Sequence, residues 1–435
     1  MSAALLLWLP ASAAHAGLIR DAEIEHTLRN YTDPVLNVAG IAPQNVRIFI
    51  VQDPRINAFV AGGLNLFLHT GLILSTDNPD MLIGVIAHET GHLEGAHLSR
   101  LAAKAEQIQI GTLLATVVGA AVGVAGGGEA GAAIGSAGQN TLMRDLIGDV
   151  RTNEQSADQA ALRYVDTLGY SADGMLEMFT LLRQQDRSSR NADPYLRTHP
   201  LTQERVANVR SYISRQSPEK REVRAHKFDE AHARMKAKLY AFLNPPADTF
   251  AKYPESDTSI AAQLARAIAH FRSPDLEKAL AEVDALLAAR PDDPFLYDLK
   301  GQILFENGKV KESIEAYQAA VDGYPSSGLL WTDLGRAQLV DGRVKESIKT
   351  LKRATVLDNS HAMSWRQLAT AYGKDGQLME SSIALAEEAA LLGDYETVRL
   401  NAKRVHQAAP AGSPLSLRAE ALMKVADDLE DQKKG

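Results

Sequence analysis

The residues best suited to chemistry lie at positions 84–97, GVIAHETGHLEGAH, where three histidines and two glutamates occur within fourteen positions. His88 and His92 are four residues apart, so on a helix their imidazoles project from one face and can bind the same metal ion. Glu89 would lie beside that ion, where a carboxylate can take a proton from water. The pattern predicts a metal site that activates water, provided that a third ligand exists elsewhere in the chain.

His97 follows His92 by five residues. If the helix continues, five residues turn it by about 500°, which leaves His97 roughly 140° away from the ligand face. The extended motif H-E-x-x-H-x-x-G-x-x-H would place its third histidine at position 98, which is Leu98 here. We therefore expect His97 to be structural or to support a ligand, and not to bind the metal.

A better candidate for the third ligand lies in the stretch RTNEQSADQAAL. Glu154 and Asp158 are four apart on a predicted helix, so one carboxylate can bind the metal while the other supports a ligand. A metal-binding imidazole usually needs a partner for its second nitrogen, and Asp158 can be that partner. Alone, such a pair is more often surface charge. Together with HETGH, it predicts a site built from two distant helices.

Composition limits the chemistry and the partners. The 435-residue chain has 45% hydrophobic residues, which is enough for two or three domains with buried cores. It contains no cysteine, so disulfides, thiolate metal sites and cysteine nucleophiles are excluded and a metal must use His, Asp or Glu. A net charge of −8 gives no support for a nucleic acid as the main partner.

The elements that position these residues can be read from periodicity. Residues 21–38 predict an amphipathic helix, and residues 46–73 predict a small antiparallel sheet, broken at Asp53-Pro54 and Gly62-Gly63. Residues 80–107 predict a helix whose first part, Met81–Ala87, is apolar on all sides and therefore buried. The fold class is mainly α: an α+β domain with a small sheet, followed by an α-solenoid.

The solenoid is predicted from a 34-residue repeat over residues 258–435. Three kinds of residue recur with this period: Tyr297, Trp331 and Trp365; Gly308, Gly342 and Gly376; and Ser313, Ser347 and Ser381. Helix pairs with a turn glycine at this period are typical of tetratricopeptide repeats, whose stacked concave face binds peptides or protein partners. Residues 396–428 are helical but off consensus and are a candidate cap for the array.

Three further segments complete the organisation. Residues 1–16 predict a signal peptide cleaved before Gly17, although no basic residue precedes the apolar run; the alternative is a disordered or buried N-terminal segment. Residues 111–138, rich in glycine and alanine, predict a helical hairpin packed on the protein or touching a membrane surface, with a membrane span as the alternative. Residues 216–257 predict a charged linker helix that ends at Asn244.

Four motifs together resemble the zinc peptidases grouped with HtpX and the CAAX prenyl proteases. They are HETGH at 88–92, EQSAD at 154–158, NAFVAGG at 57–63 and RTHPLTQERV at 197–206. The resemblance implies a zincin-like α+β metalloprotease domain over residues 17–215. It also implies that His88, His92 and Glu154 bind one Zn²⁺ per chain, with Asp158 as support and Glu89 as general base.

The resemblance implies roles for other residues. His199 would approach the zinc, either occupying its open position as a latch or steadying the transition state. Arg205 would bind a carboxylate near the site, with a surface cap as the alternative. The segment Asn57, Ala58, Phe59, Val60 and Ala61 would form an edge strand that binds an extended substrate, with a plain hairpin strand as the alternative.

The resemblance, the predicted export signal and the repeats point to a periplasmic zinc endopeptidase. Its expected substrates are misfolded or misassembled outer-membrane β-barrel proteins, whose assembly it would also assist through repeats that bind these proteins or their assembly machinery. One alternative is a repeat-based chaperone or scaffold with a latched, rarely used protease site. Another is an integral membrane protease.

Overall fold

The computed structural model describes residues 17–97, 149–188, 194–216 and 226–434. The predicted signal peptide, residues 1–16, and the glycine-rich segment 111–138 lie outside these residues. The chain forms two compact units: residues 1–19 with 25–236, and residues 20–24 with 237–435. The division at position 236 falls inside the predicted linker. Within the described residues, no helix combines the length and apolarity that crossing a bilayer requires.

The first unit contains a four-stranded sheet in the order β1-β2-β4-β3. Its strands are β1 (Leu18–Ile19), β2 (Arg47–Val51), β3 (Ala58–Ala61) and β4 (Asn65–His69). The prediction of an antiparallel sheet is wrong for the central pair, because β2 and β4 run parallel. The break after β2 lets the chain cross over, so the β3–β4 hairpin pairs with β2 through its second strand. This crossing leaves β3 at the edge of the sheet.

The first unit also contains helices, and one of them is buried for most of its length. They are α1 (Ala22–Val38), α2 (Thr70–Ser75), α3 (Pro79–Glu94), α4 (residues 149–167), α5 (Asp173–Ser188), α6 (Pro194–Thr198) and α7 (Gln203–Arg215). The side chain of Asn78 caps α3 by accepting a hydrogen bond from the Met81 amide at 3.1 Å. Every residue from Pro79 to His92 is buried. The apolar run before HETGH therefore carries it into the interior, as predicted.

Glycine allows α3 to approach its neighbours closely. A Cβ added at Gly91 would lie 2.9 Å from the Cα and from the carbonyl oxygen of Ala157 in α4. At Gly84 the added atom would lie 2.9 Å from Met175 Cγ at the start of α5. The glycine inside HETGH thus brings the backbones of α3 and α4 together, which sets the distance between their ligands.

The second unit is built from antiparallel helix pairs. Its helices are α8 (Asp229–Leu243), α9 (Pro246–Lys252), α10 (Ile260–Arg272), α11 (Leu276–Ala289), α12 (Pro294–Glu306), α13 (Val310–Gly323), α14 (Gly328–Val340), α15 (Val344–Leu357), α16 (Ala362–Lys374), α17 (Leu378–Leu391), α18 (Tyr395–Ala408) and α19 (Pro414–Lys434). The first eight residues of α8 are counted with the first unit. The linker helix ends at Leu243, one residue before the predicted end, because Pro245 and Pro246 follow.

The 34-residue period is confirmed as a repeat of helix pairs. Gly308, Gly342 and Gly376 occupy the turns inside the pairs α12/α13, α14/α15 and α16/α17, with φ of +76°, +84° and +80°. Positive φ is the conformation that glycine adopts without steric cost, which explains its recurrence. The serines begin the second helices; the Ser347 hydroxyl donates to the Gly335 carbonyl at 2.7 Å and so joins the two helices of its pair.

A short N-terminal segment, Arg20–Ile24, is part of this second unit. Ala22 packs in one hydrophobic cluster with Leu330 and Leu334 of α14. Lys238, 2% exposed, lies with its Nζ 2.8 Å from Asp21 Oδ2 and 3.3 Å from Glu23 Oε2. The segment therefore contributes apolar surface and two carboxylates to the unit's interior.

Candidate metal centre

Four donor side chains converge in the interior of the first unit. His88 and His92 come from α3, Glu154 from α4 and His199 from the residue after α6, and one ligand atom of each lies within 4.8 Å of the others. His88 Nε2 is 3.1 Å from His92 Nε2 and 3.3 Å from His199 Nδ1. Glu154 Oε1 is 3.3 Å from His92 Nε2 and 3.1 Å from His199 Nδ1. Two helices and a loop thus place three imidazoles and a carboxylate around one point.

This donor set fits a zinc ion. The donors are nitrogen and oxygen, all are buried, and their lone pairs face a common centre, as in zinc sites with His₂Glu ligation. Burial lowers the pKa of His92 to about 3, which keeps the ring in the neutral form that binds metals. Burial also lowers the pKa of His88, but hydrogen bonds with Asp158 and Glu154 outweigh it and raise the pKa to about 10. The carboxylates of Asp158 and Glu154 therefore stabilise a positive charge at the donor cluster, and a bound metal cation would provide that charge.

Glu89 lies beside the cluster and not within it. It is fully buried, and neither carboxylate oxygen has a hydrogen-bond partner among the described residues. The His199 ring lies beside it, with Nε2 3.5 Å from Glu89 Oε1. Burial raises the pKa of the Glu89 carboxyl. A buried carboxylate with free acceptor sites next to the donor cluster is arranged to accept a proton from a water molecule held there.

Asp158 and Arg205 contact two of the donor residues, His88 and Glu154. Asp158 Oδ1 is 2.9 Å from His88 Nδ1, so it occupies the nitrogen that faces away from the cluster. Arg205, 2% exposed, donates to Asp158 at 2.6 Å and 2.8 Å and lies 2.8 Å from Glu154 Oε2. Burial opposes ionisation of Asp158, but the hydrogen bonds with Arg205 and His88, together with the charges of these groups, outweigh it and lower the pKa of Asp158. We therefore interpret Arg205 as a positioning residue for carboxylates.

His199 is held by contacts that the sequence did not indicate. Its ring stacks on Tyr195, with centroids 4.6 Å apart and planes inclined by 29°. The two residues face each other because they are four apart, and the His199 amide donates to the Tyr195 carbonyl at 2.7 Å. Arg205 also donates to the carbonyl of Pro200 at 3.0 Å. The feature of the sequence that could have predicted this stacking is Tyr195, an aromatic residue four positions before His199.

His97 lies next to the cluster, contrary to the helix geometry used for its prediction. Helix α3 ends at Glu94, so the predicted continuation to residue 107 is wrong at residues 95 and 96, which form a turn; His97 is helical again, and residues 98–107 lie outside the described residues. The ring of His97 returns over the last turn, with Nδ1 2.9 Å from His92 Nδ1. Its expected role as a structural or supporting residue stays a prediction.

A cavity of about 320 Å³ opens beside the donors. Its walls include Glu89, His92 and His199, and Phe59 and Val60 of strand β3. One edge of β3 pairs with β4, as in the Phe59–Phe67 pair. The sheet has no strand beyond β3 among the described residues, so β3 is an edge strand beside the donors. Of the predicted segment, Ala58–Ala61 forms the strand, and Asn57 precedes it and accepts from the His69 amide at 3.0 Å.

Comparison with known proteins agrees with this arrangement. Residues 21–213 match the model of Peptidase family M48, and residues 299–362 match a model of the tetratricopeptide repeat. The first match covers every donor described above, and the second covers parts of three helix pairs.

Two curated relatives resemble most of the chain. The beta-barrel assembly-enhancing protease of Escherichia coli (strain K12) is 25% identical over 317 residues, which are 71% of this chain and 63% of that protein. A putative beta-barrel assembly-enhancing protease of Vibrio cholerae serotype O1 is 26% identical over 286 residues, which are 65% of this chain and 58% of that protein. The match thus spans less than two thirds of either relative.

Among solved structures, the crystal structure of MamA is 20% identical with a TM-score of 0.29, covering 39% of this chain and 96% of that one. The family matches, together with the fold and the helix pairs described above, identify the architecture. The chain contains a Peptidase family M48 domain followed by tetratricopeptide repeats.

Proposed function

We propose that this chain is a zinc-dependent endopeptidase of the periplasm that degrades misfolded or misassembled outer-membrane proteins and assists their assembly. The observation that carries the enzymatic part is the convergence of His88, His92 and Glu154 on one buried point beside Glu89. The names of the curated relatives support the class of substrate. The repeats support binding of a protein partner.

His88 and His92, through Nε2, and the Glu154 carboxylate would hold one Zn²⁺. Zinc supplies Lewis acidity there, which lowers the pKa of water from 15.7 to about 7 and polarises a peptide carbonyl. Asp158 fixes the ring of His88, and Arg205 fixes the two carboxylates. The ligands therefore stay in place without help from the substrate, and little reorganisation is needed before reaction.

Glu89 would act as the general base and then as the general acid. Its carboxylate takes a proton from the attacking water and delivers it to the nitrogen of the leaving amine. Its burial supports this exchange, because a raised pKa brings the carboxyl closer to neutral pH and so allows both transfers. Burial also excludes bulk water, which would otherwise hydrate the carboxylate and compete for the proton.

Strand β3 would bind the substrate. An extended peptide can add to the edge of the sheet through main-chain hydrogen bonds, which require no particular sequence in the substrate. Phe59 and Val60 line the cavity next to Glu89, so a peptide added at β3 would pass the donors. Such binding suits unfolded or misassembled proteins, because only an unpaired segment can add as a strand.

A second candidate function is a repeat-based chaperone or scaffold whose protease site is rarely used. The observation that favours it is the place of His199, whose Nδ1 lies 3.1 Å from Glu154 and 3.3 Å from His88. In that position the ring occupies the fourth corner of the donor cluster and would exclude water from a bound zinc ion. Replacing His199 with alanine separates the two functions, because the latched form predicts a gain of proteolysis and a catalytic His199 predicts a loss.

The decisive experiment compares Glu89→Gln with Glu94→Gln in the full chain. Both residues lie on α3, but Glu94 contacts Tyr164 and Arg163 and not the cluster. With an unfolded β-barrel protein as substrate, we expect E89Q to lose about 10²–10⁴-fold in rate while its zinc content stays at one per chain. E94Q should retain the rate. Equal turnover by E89Q and wild type would reject the mechanism.

A further inference from the structure

We propose that His97 is a positioning residue for the metal site: its Nδ1 accepts the hydrogen bond that orients His92, and the turn at Gly95-Ala96 brings it there. The proposal rests on the metal site of the proposed function. In this proposal His97 supports His92, the second histidine ligand, in the same way that Asp158 supports His88, the first.

Helix α3 ends in a tight turn at Gly95 and Ala96. The Gly95 amide donates to Gly91 at 3.0 Å, and the Ala96 amide donates to Leu93 at 3.1 Å. Ala96 then adopts φ of +48°, a left-handed conformation that is uncommon for a residue with a Cβ. The left-handed residue directs His97 back along α3 instead of onward, so the side chain lies over the last turn of the helix.

The His97 ring is buried against His92. Its side chain is 1% exposed, and the ring centroids are 4.9 Å apart with the planes inclined by 82°. His92 presents Nε2 to His88 at 3.1 Å, and its Nδ1 lies 2.9 Å from His97 Nδ1. A neutral imidazole carries one proton, so His92 can offer a lone pair at Nε2 only with its proton on Nδ1. Nδ1 of His92 therefore donates and Nδ1 of His97 accepts.

Gly95 provides the space for this contact. A Cβ at Gly95 would lie 2.1 Å from His97 Nε2, so the ring occupies the volume that any larger residue would fill. The φ of Gly95 is −71°, which every residue adopts readily. The requirement for glycine at this position thus comes from the ring of His97 and not from the backbone.

The two ligands on α3 therefore have different supports. His88 is held by the carboxylate of Asp158, which Arg205 in turn binds. His92 is held by a second imidazole, which accepts a hydrogen bond without adding a full charge. Both supports fix the tautomer with Nε2 free for the metal, which is the function of such partners in metal sites.

Two substitutions at His97 test the proposal. Asparagine places its carbonyl oxygen near the position of Nδ1, whereas glutamine reaches the position of Nε2, so only asparagine can accept from His92. The zinc dissociation constant is measured on the metal-free full chain by competition with a chromogenic chelator. H97Q should raise it about 10–100-fold, and H97N should stay close to wild type.

The visible absorption of bound Co²⁺ provides a second readout, because it reports the geometry of the ligands. H97Q should change this spectrum and H97N should restore it. If H97Q fails to fold, Gly95→Ala is the alternative, since it displaces the ring while the imidazole remains; it should weaken zinc binding as H97Q does.

The outcomes separate this inference from the proposed function. Equal zinc affinity and equal Co²⁺ spectra for wild type, H97Q and G95A would overturn the role of His97 and leave the enzyme intact. An equal loss in H97N and H97Q would mean that the ring only packs, and would also overturn it. A wild-type chain that binds no zinc would reject the proposed function, and the inference with it.

Discussion

Both units use glycine to bring two helices into contact, but the glycine inside HETGH and two glycines of the repeats meet different kinds of atom. At Gly91 in α3 an added Cβ would meet the backbone of Ala157, at 2.9 Å. At Gly335 in α14 it would meet the side chain of Leu351, at 2.6 Å from Cγ, and at Gly301 in α12 the ring of Tyr317, at 2.6 Å from Cδ1. A side chain can move to another rotamer, whereas a backbone moves only with its helix.

The difference reflects what each unit must keep constant. In the first unit the separation of α3 and α4 sets the distance from His88 and His92 to Glu154, so a small shift changes the metal site. In the second unit the same kind of contact occurs in two successive helix pairs, at Gly301 and Gly335, and a local adjustment affects mainly the neighbouring pair. The Gly91 contact therefore fixes the geometry of the donor cluster, whereas the glycine contacts of the second unit pack the helices of a repeated array.

The largest expected effect is at the buried ion cluster of the first unit. Arg205→Ala leaves Asp158 and Glu154 buried without their cation, which should cost the first unit about 3–5 kcal/mol of unfolding free energy. The counterpart in the repeats is Arg399→Ala, because Arg399 is 39% exposed while it binds Asp427 and Glu430. That change should cost less than about 1 kcal/mol.

Hydrogen exchange of the amides in α4 and in α18, measured at increasing urea concentrations, gives the free energy of unfolding of each unit separately. A cost for R205A no larger than that for R399A would show that the buried cluster is not what distinguishes the units.

The glycine contacts predict an intermediate effect. Gly91→Ala should weaken zinc binding and destabilise the first unit by about 1–3 kcal/mol, since the backbone of α4 must move. Gly335→Ala gains up to about 1 kcal/mol of helix propensity and loses a similar amount as Leu351 repacks, so its net change should be small. Trp331 and Trp365 lie in the second unit, so their fluorescence reports its unfolding.

Zinc affinity reports the first unit in the same samples. Unchanged zinc affinity in G91A would mean that this contact does not set the separation of the ligands.

The smallest effect concerns pH and arises at His232 in the first unit. The ring is 2% exposed, between the Tyr31 hydroxyl at 3.4 Å and the Thr76 hydroxyl at 3.2 Å. Burial lowers its pKa from 6.5 to about 4. Between these two pH values the His232 ring is protonated in the unfolded chain and neutral in the folded chain. The free energy of unfolding that it contributes is therefore fully present above pH 6.5 and is lost as the pH drops towards 4.

Between about pH 7 and pH 5.5 the loss from His232 should be about 1 kcal/mol. His232→Gln cannot titrate and should remove this loss from the first unit while the second unit keeps its own pH dependence. The same slope in H232Q and wild type would assign the effect to another group.

The features that could be predicted from the sequence are those that depend on regular spacing along a helix or between repeats. Spacing by four placed His88 with His92 and Glu154 with Asp158, and spacing by 34 defined the helix pairs. The errors arose where the chain leaves a regular element. The fold-back of His97 depends on the left-handed Ala96, which a continuous helix would not contain. The parallel pairing of β2 with β4 depends on a crossing between strands that local patterns do not show.

Other contacts between distant residues could be expected only from the family resemblance or not at all. Arg205 reaches Asp158 across 47 positions, and nothing local to either residue distinguishes this pair from surface charges. The role of Tyr195 under His199 depends on a short helix whose existence is clear only in the fold.

The second unit is discontinuous in the sequence, and this affects how it can be produced alone. A fragment that starts at residue 237 omits Arg20–Ile24. It would therefore lose the salt bridge of Arg20 with Asp358 and leave the ammonium of Lys238 without the carboxylates of Asp21 and Glu23. A stable recombinant version of the repeats needs those five residues, either fused ahead of position 237 or added as a synthetic peptide.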